Sequence, residues 1–277
     1  MLGKLIKHEF RATGAWVALL CAGVIVFAGL TRLFMLLADM MELFAIPMGI
    51  SMFFYVLLMI ASVVVVVVLN IRRFYKNVYG DEGYLTLTLP VSRWKIIVSK
   101  LLVGVTWSLL SGLCALLSLL IIASSQTLWQ TLGEVMYYLG YAFDEILYIL
   151  RMPAPLLIVE IVLMAVISLF SGLLMCYASI SLGQLFTGHR LLGSVIGYIG
   201  LNTVVQIITS AFSFALTLTQ GVVLDFEELL QYSRQIDGFT AFNLQVNIVL
   251  AIILQLFLMA GYFTISNAIM KKSVNLQ

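Results

Sequence analysis

Six apolar runs, each long enough to cross a lipid bilayer, limit what this chain can fold into. They lie at roughly 15–37, 46–69, 96–123, 156–186, 192–218 and 245–269, and a membrane-crossing helix needs about 20 mostly apolar residues. The third and fourth exceed that minimum, which leaves room for tilt, bending or projection into water. Charged residues make up only 10% of the chain and hydrophobic ones 62%, against roughly 25% charged in a soluble domain. So little polar surface cannot wrap a water-facing globule. The expected fold is an all-α integral membrane protein, with residues 1–277 forming a single transmembrane domain.

The net charge of +2 gives no reason to expect nucleic acid as a partner. Cys21, Cys114 and Cys176 all fall inside apolar runs, where cysteine packs as a small hydrophobe, and their spacing suggests no disulfide framework or metal site. Lys4 and Lys7 ahead of an apolar run have the look of a secretion signal. That run extends from about Gly14 to Ala38, beyond the roughly 7–15 residues of a signal core. It is therefore expected to stay as the first span.

Lysine and arginine are retained on the cytoplasmic side of a membrane. With the N-terminus inside, the cytoplasm holds twelve of the fifteen: Lys4, Lys7, Arg11, Arg72, Arg73, Lys76, Arg93, Lys95, Lys100, Arg190, Lys271 and Lys272. Only Arg32, Arg151 and Arg234 remain outside. Both termini are accordingly expected in the cytoplasm. Two external segments, 125–155 and 219–244, are long and amphipathic. In the first, Leu128, Leu132, Val135, Leu139, Phe143 and Leu147 approximate one helical face. In the second, Asp225 and Glu228 have N-cap and N3 spacing, with Leu224 and Leu229 placed as a hydrophobic staple. A short helix is expected there from near Phe226.

Two cytoplasmic features stand out. Residues 1–13, read as a helix, gather Leu2, Leu5, Ile6 and Phe10 on one face, with Lys4, Lys7, His8 and Arg11 largely opposite. Such a helix lies in the headgroup layer before the chain turns into the first span. The cytoplasmic loop 70–95 contains "DEGYLTLTLPVSRWK", residues 81–95. Its Leu–Thr alternation has the period of a strand. Asp81 and Glu82 equally suit a helix N-terminus, Leu85 and Leu89 are four apart, and Pro90 blocks continuation. Periodicity leaves strand and helix open. Ser92 is placed to cap a new helix from Arg93.

"KHEFRATG" (7–14) and "DEGYLTLTLPVSRWKIIVSKLL" (81–102) resemble a bacterial ABC-2-type transporter permease, and the likeness in layout covers most of the chain. The resemblance implies a six-span subunit of the bacterial cell membrane, working beside a second permease, identical or paralogous. Separate ABC ATPase subunits would carry the ATP and magnesium. It also implies that the element after the second span is a coupling helix seated in a groove of the ATPase. That role would fall on Asp81, Glu82, Gly83, Tyr84, Leu85, Thr86, Leu87, Thr88, Leu89 and Pro90. Leucines there favour a partner-binding role over a loop made polar only for topology, since lysines and arginines alone would serve topology.

The phosphate-cradling pattern G-x-x-x-x-G-K-[ST] does not occur in the chain, nor does H-E-x-x-H. No catalytic, cofactor-binding or metal-binding residues are assigned, and ATP hydrolysis is expected in a partner. Deep intramembrane charge is almost absent. Glu160 is the exception, read first as an interfacial, snorkelling residue and second as part of a substrate path. Gln184, Asn202 and Gln206 are weaker candidates for that path; with Gln255 they are better suited to tying helices together. Gly193, Gly197 and Gly200 allow close helix approach, read as packing inside one subunit. The expected function is a permease exporting an amphipathic, lipid-like or peptide cargo amid membrane lipids. The alternatives are an intramembrane enzyme, or a non-transporting sensor or anchor that recruits an ATPase.

Overall fold

The computed structural model describes residues 2–80, 82–83, 91–124, 126–186, 188–220 and 238–273; for 126–128, 217, 219–220, 238–244 and 272–273 only the backbone is described. Among these residues every regular element is a helix. They run α1 (Leu2–Met40), a 3-10 turn (Glu42–Phe44), α2 (Ala45–Val78), α3 (Arg93–Ala123), α4 (Gln126–Leu150), α5 (Ala154–Gly183), α6 (Arg190–Gln220) and α7 (Gly238–Ser273). Six carry stretches long and apolar enough to span a membrane: all but α4. The chain is thus a multi-pass membrane protein, and five of the expected spans fall within one of these helices; the fourth, 156–186, runs three residues past the end of α5 at Gly183. Outward faces remain apolar, as at Ile60, Leu116 and Phe257, because the solvent they meet is lipid and not water.

The chain gathers into two compact units, Met1–Val135 and Met136–Gln277. In the first, α1 packs against both α2 and α3. Four polar contacts join α1 to α3: Glu9 with Lys100, Thr13 with Trp107, Cys21 O with Cys114 Sγ, and Arg32 with Ser124. Their sequence separations are 91, 94, 93 and 92. A near-constant separation means that the two helices run parallel and stay in register from residue 9 to residue 32, about 35 Å. Against α2 the order reverses, Glu9 meeting Arg73 and Phe27 meeting Phe54. Val24, Ala28, Tyr55 and Ile122 form the core between the three helices, and the Tyr55 hydroxyl shares a 2.9 Å hydrogen bond with Ser118.

In the second unit α5 takes the central place, packing against α6 and α7. Gln255 Nε2 donates to Ser168 Oγ at 2.9 Å and Gln245 Nε2 to Glu160 Oε1 at 2.7 Å, so α5 and α7 run parallel. Gln255 does tie two helices together, as its polarity suggests. The α5–α6 approach is close. A Cβ on Gly183 would sit 2.1 Å from Ser194 Oγ and 2.6 Å from its backbone nitrogen, and one on Gly197 would sit 3.2 Å from Ser179 O. Gly193 lies against Phe186, while Gly200 faces open space. Gly193 and Gly197 therefore serve packing within the unit, and Gly200 does not.

Several buried hydroxyls along the spans bond to the backbone of their own helix. Ser62, Ser181 and Ser266 each donate to a carbonyl three or four residues back, at 2.8–2.9 Å. That contact replaces the water an alcohol would lose on entering lipid.

Three expectations change in detail. Residues 2–13 are helical with the expected faces, Leu2, Leu5, Ile6 and Phe10 half-buried and Lys4, Lys7, His8 and Arg11 exposed. No turn separates them from the first span, however, and α1 is one helix of 39 residues, about 58 Å long. A lone Gly14 costs only about 1 kcal/mol in a helix. Glu9 and Thr13, both buried, hold the segment against α2 and α3. Ser92 precedes Arg93 as the N-cap residue but makes no side-chain cap hydrogen bond; its carbonyl accepts instead from Lys95 N at 2.9 Å. The helix expected near Phe226 lies outside the described residues, and α7 begins at Gly238, earlier than its apolar run. The stripe in 125–155 is helical, as α4. Arg151 at its end has φ 49°, and Met152 N reaches back to Leu147 O at 3.4 Å, the 6→1 bond of a Schellman ending.

Candidate functional site

Residues 81 and 84–90 lie outside the described residues. What flanks them is a buried charge cluster built by three helices. Glu9 on the first turns of α1 accepts from Lys100 Nζ on Oε1 at 2.6 Å and from Arg73 Nε on Oε2 at 2.9 Å. Both carboxylate oxygens are used. Glu9 and Lys100 are only 8% and 5% exposed. Asn77, one turn beyond Arg73 on α2, joins them when its amide nitrogen faces Arg73 O (3.1 Å) and Glu82 Oε2 (3.0 Å). Its oxygen then accepts from Lys100 Nζ at 3.2 Å, and only this orientation of the amide satisfies both ends.

Local sequence explains the placement. Arg73 and Asn77 are four apart on α2 and share a face. Phe74 and Val78 between and beyond them are fully packed, which fixes the rotation of α2. The backbone then folds tightly back. Gly80 N bonds to Tyr75 O and Gly83 N to Gly80 O, at 2.9 and 2.8 Å. A Cβ on Gly83 would lie 2.6 Å from Val78 O, so a side chain has no room there. This reversal brings Glu82 over Lys76 at 2.8 Å. The Lys76 ammonium holds the Glu82 carboxyl below the usual carboxylate range.

The cluster fastens the segment leading into residues 81–90 (α2), the segment leaving them (α3) and the N-terminal helix to a single carboxylate. Phe10 and Thr13 extend the attachment: Phe10 meets the edge of the Trp107 ring at 5.5 Å, and Trp107 Nε1 donates to Thr13 Oγ1 at 2.8 Å. Of the face Leu5, Ile6 and Phe10 assigned to the interface, Phe10 thus also packs on α3. Removing one partner of such a buried ion pair typically costs 3–5 kcal/mol. The arrangement can do mechanical work, holding three helix ends as one body.

The residues considered for a substrate path do not form one site. Glu160 stands near the start of α5 and Gln184 just past its end, about 36 Å apart along the helix. Gln184 donates weakly to Ile180 O at 3.4 Å, and Gln206 Nε2 to Asn202 Oδ1 at 3.3 Å on the α6 surface. Among these four and within the described residues, Glu160 is the one with an interhelical partner, Gln245. The second oxygens of both, Glu160 Oε2 and Gln245 Oε1, are buried with no hydrogen-bond donor among the described residues. No three of His, Cys, Asp and Glu converge as metal ligands among the described residues.

No protein-family model, curated protein or solved structure matches this chain.

Glu9 carries no mark in a count of positive charges, so its role escapes that reading. Lys100 has a signal: it stands inside the apolar run "IIVSKLLVG". A cation at that depth needs a counterion from another helix, and α1 supplies it in Glu9.

Proposed function

We propose that this chain is the membrane-spanning permease subunit of an ATP-driven ABC transporter of the bacterial cell membrane. It exports an amphipathic, lipid-like or peptide cargo. A separate ATPase docks on residues 81–90, which form a coupling helix, and supplies ATP and magnesium chemistry. Two such permease subunits, identical or paralogous, enclose the path, with N- and C-termini on the cytoplasmic side.

The observation that supports this reading is the attachment of Glu9 to Arg73 and Lys100. A push on residues 81–90 reaches α2 eight residues upstream and α3 ten residues downstream, and Glu9 joins both to α1. A flexible loop would dissipate that push; helix ends fixed to one carboxylate pass it to three spans together. The cycle then alternates between inward- and outward-facing arrangements whose balance is set by the nucleotide state of the ATPase.

Reconstitution tests the proposal. The chain and the ATPase purified with it are placed in vesicles with a fluorescent amphipathic cargo, and ATP-dependent movement is followed. Flux that needs both chains and ATP is the expected result. Binding and ATP turnover without flux would instead favour a sensor or anchor. Chemical turnover by the purified chain alone would favour an intramembrane enzyme.

A further inference from the structure

Between α1 and α2, at the end of the bundle holding the N-terminus, lies a groove of about 560 Å³. Its two ends differ in chemistry. Arg72 and Lys76 line one end, and Val65, Val68 and Trp16 line the other. From Val65 to Lys76 the α2 wall extends about 16 Å. Val68 is 51% exposed and Trp16 63% exposed, so the apolar end opens sideways toward the hydrocarbon while the basic end faces the membrane boundary. Tryptophan and arginine are the side chains that favour that boundary.

Charge in and around the groove is unbalanced. Among the described residues, Arg72, Arg73, Lys76 and Lys100 face two carboxylates, Glu9 and Glu82. Arg72 has no acidic partner among the described residues. The Lys76–Glu82 pair is solvent-exposed on both sides, and exposed ion pairs contribute little, so it yields readily to a stronger anion.

We propose that this groove binds one anionic phospholipid, its phosphate held by Arg72 and Lys76 and an acyl chain lying on Val65, Val68 and Trp16. A soluble anion would use the basic end and leave the apolar end open to lipid. A zwitterionic lipid would carry its own cation to the surplus positive charge. Only an anionic lipid matches both ends. Arg73 and Asn77 belong to the groove wall and to the Glu9 cluster alike, so a bound phosphate touches the residues that fasten the three helices. The proposal stands apart from the transport reading, since it uses the groove alone.

The test is native mass spectrometry of the purified full chain in mild detergent. It is titrated with palmitoyl-oleoyl phosphatidylglycerol, with phosphatidylcholine of the same chains, and with glycerol 3-phosphate. One phosphatidylglycerol is expected to be retained with at least tenfold preference over phosphatidylcholine. Each cation removed near the headgroup should cost about fivefold, so Arg72→Gln with Lys76→Gln should lose more than tenfold. Val68→Trp keeps every charge and fills the apolar end; it should also weaken phosphatidylglycerol binding, which keeps the test decisive if the charge variant unfolds. Lys4→Gln with Lys7→Gln, on the exposed face of α1, should change nothing. Equal binding of the two lipids, binding indifferent to Val68→Trp, or displacement by equimolar glycerol 3-phosphate would each overturn the proposal.

Discussion

Glu9 and Lys100, 91 residues apart in sequence, meet at 2.6 Å in a site almost closed to solvent. Lys100 is the donor and Arg73 takes the other oxygen of the same carboxylate. The contact sets the register of the parallel α1–α3 pair at one end, as Arg32 and Ser124 set it at the other with a 3.0 Å hydrogen bond. Removing Glu9 leaves Lys100 buried beside Arg73 with its cation uncompensated. Glu9→Gln is therefore expected to destabilise the chain by about 3–5 kcal/mol, read as a fall in thermal unfolding temperature in detergent. Lys100→Met in the same chain should recover much of that loss, because it removes the orphaned charge and not merely a contact. A double variant no more stable than Glu9→Gln alone would place the loss elsewhere.

The α5–α6 contact gives a steric prediction. Gly183→Ala places a methyl group against the Ser194 backbone nitrogen, and backbone cannot swing aside as a side chain does. Overpacking of this kind costs about 1–3 kcal/mol. Gly200→Ala meets nothing within 4 Å and should be neutral or slightly stabilising, as alanine is the better helix former. Unfolding temperatures of the two variants in one detergent decide it; equal effects would contradict the close approach.

Glu160 and Gln245 predict a different pattern. The carboxylate and amide share one hydrogen bond and bury one further oxygen each. Glu160→Gln keeps a polar partner for Gln245, so stability should hold. Glu160→Leu strands the Gln245 amide, at a cost of about 1–3 kcal/mol. Comparing the two by thermal unfolding separates a structural carboxyl from a merely interfacial one, for which both substitutions would be silent.

The pH dependence rests on Glu82. Lys76 holds its carboxyl below the ordinary value, which is about 4.3. The ion pair therefore contributes fully above that ordinary value and is lost as pH falls through the lowered one. Glu82 is well exposed, so the visible effect is local. A carboxyl titration by carbon NMR should place the Glu82 midpoint higher in Lys76→Gln than in the wild type; an unmoved midpoint would deny the pair.

Much of the architecture is legible in the sequence because lipid imposes length and apolarity on every span. The six runs correspond to helices for that reason, and the Leu128–Leu147 stripe is helical in α4 because a 3.6-residue period leaves few other readings. Leu2, Leu5, Ile6 and Phe10 occupy the expected face. Other features depend on pairing across helices, which a linear pattern does not record. Glu9 looks like one acid among basic residues until α2 and α3 place Arg73 and Lys100 beside it. Gly183 does form a small-xxx-small pair with Ser179, but its constraint comes from Ser194 on the next helix, which the pattern does not name. Arg151 ends α4 in a left-handed conformation that composition would assign to glycine. The continuity of α1 through Gly14 follows from Glu9 and Thr13 packing inward, which overrides a headgroup-layer bend.

The proposal that residues 81–90 dock an ATPase makes one demand that can be checked directly. The tagged chain is purified from native membranes in mild detergent beside a Leu85→Asp, Leu87→Asp variant shown to be equally expressed and folded, and the accompanying chains are identified by mass spectrometry. An ABC ATPase that travels with the wild type and is lost from the variant is the predicted result. A wild-type chain that is intact and carries no ATPase would contradict the transporter reading itself. An ATPase kept equally by both would move its docking site away from these leucines.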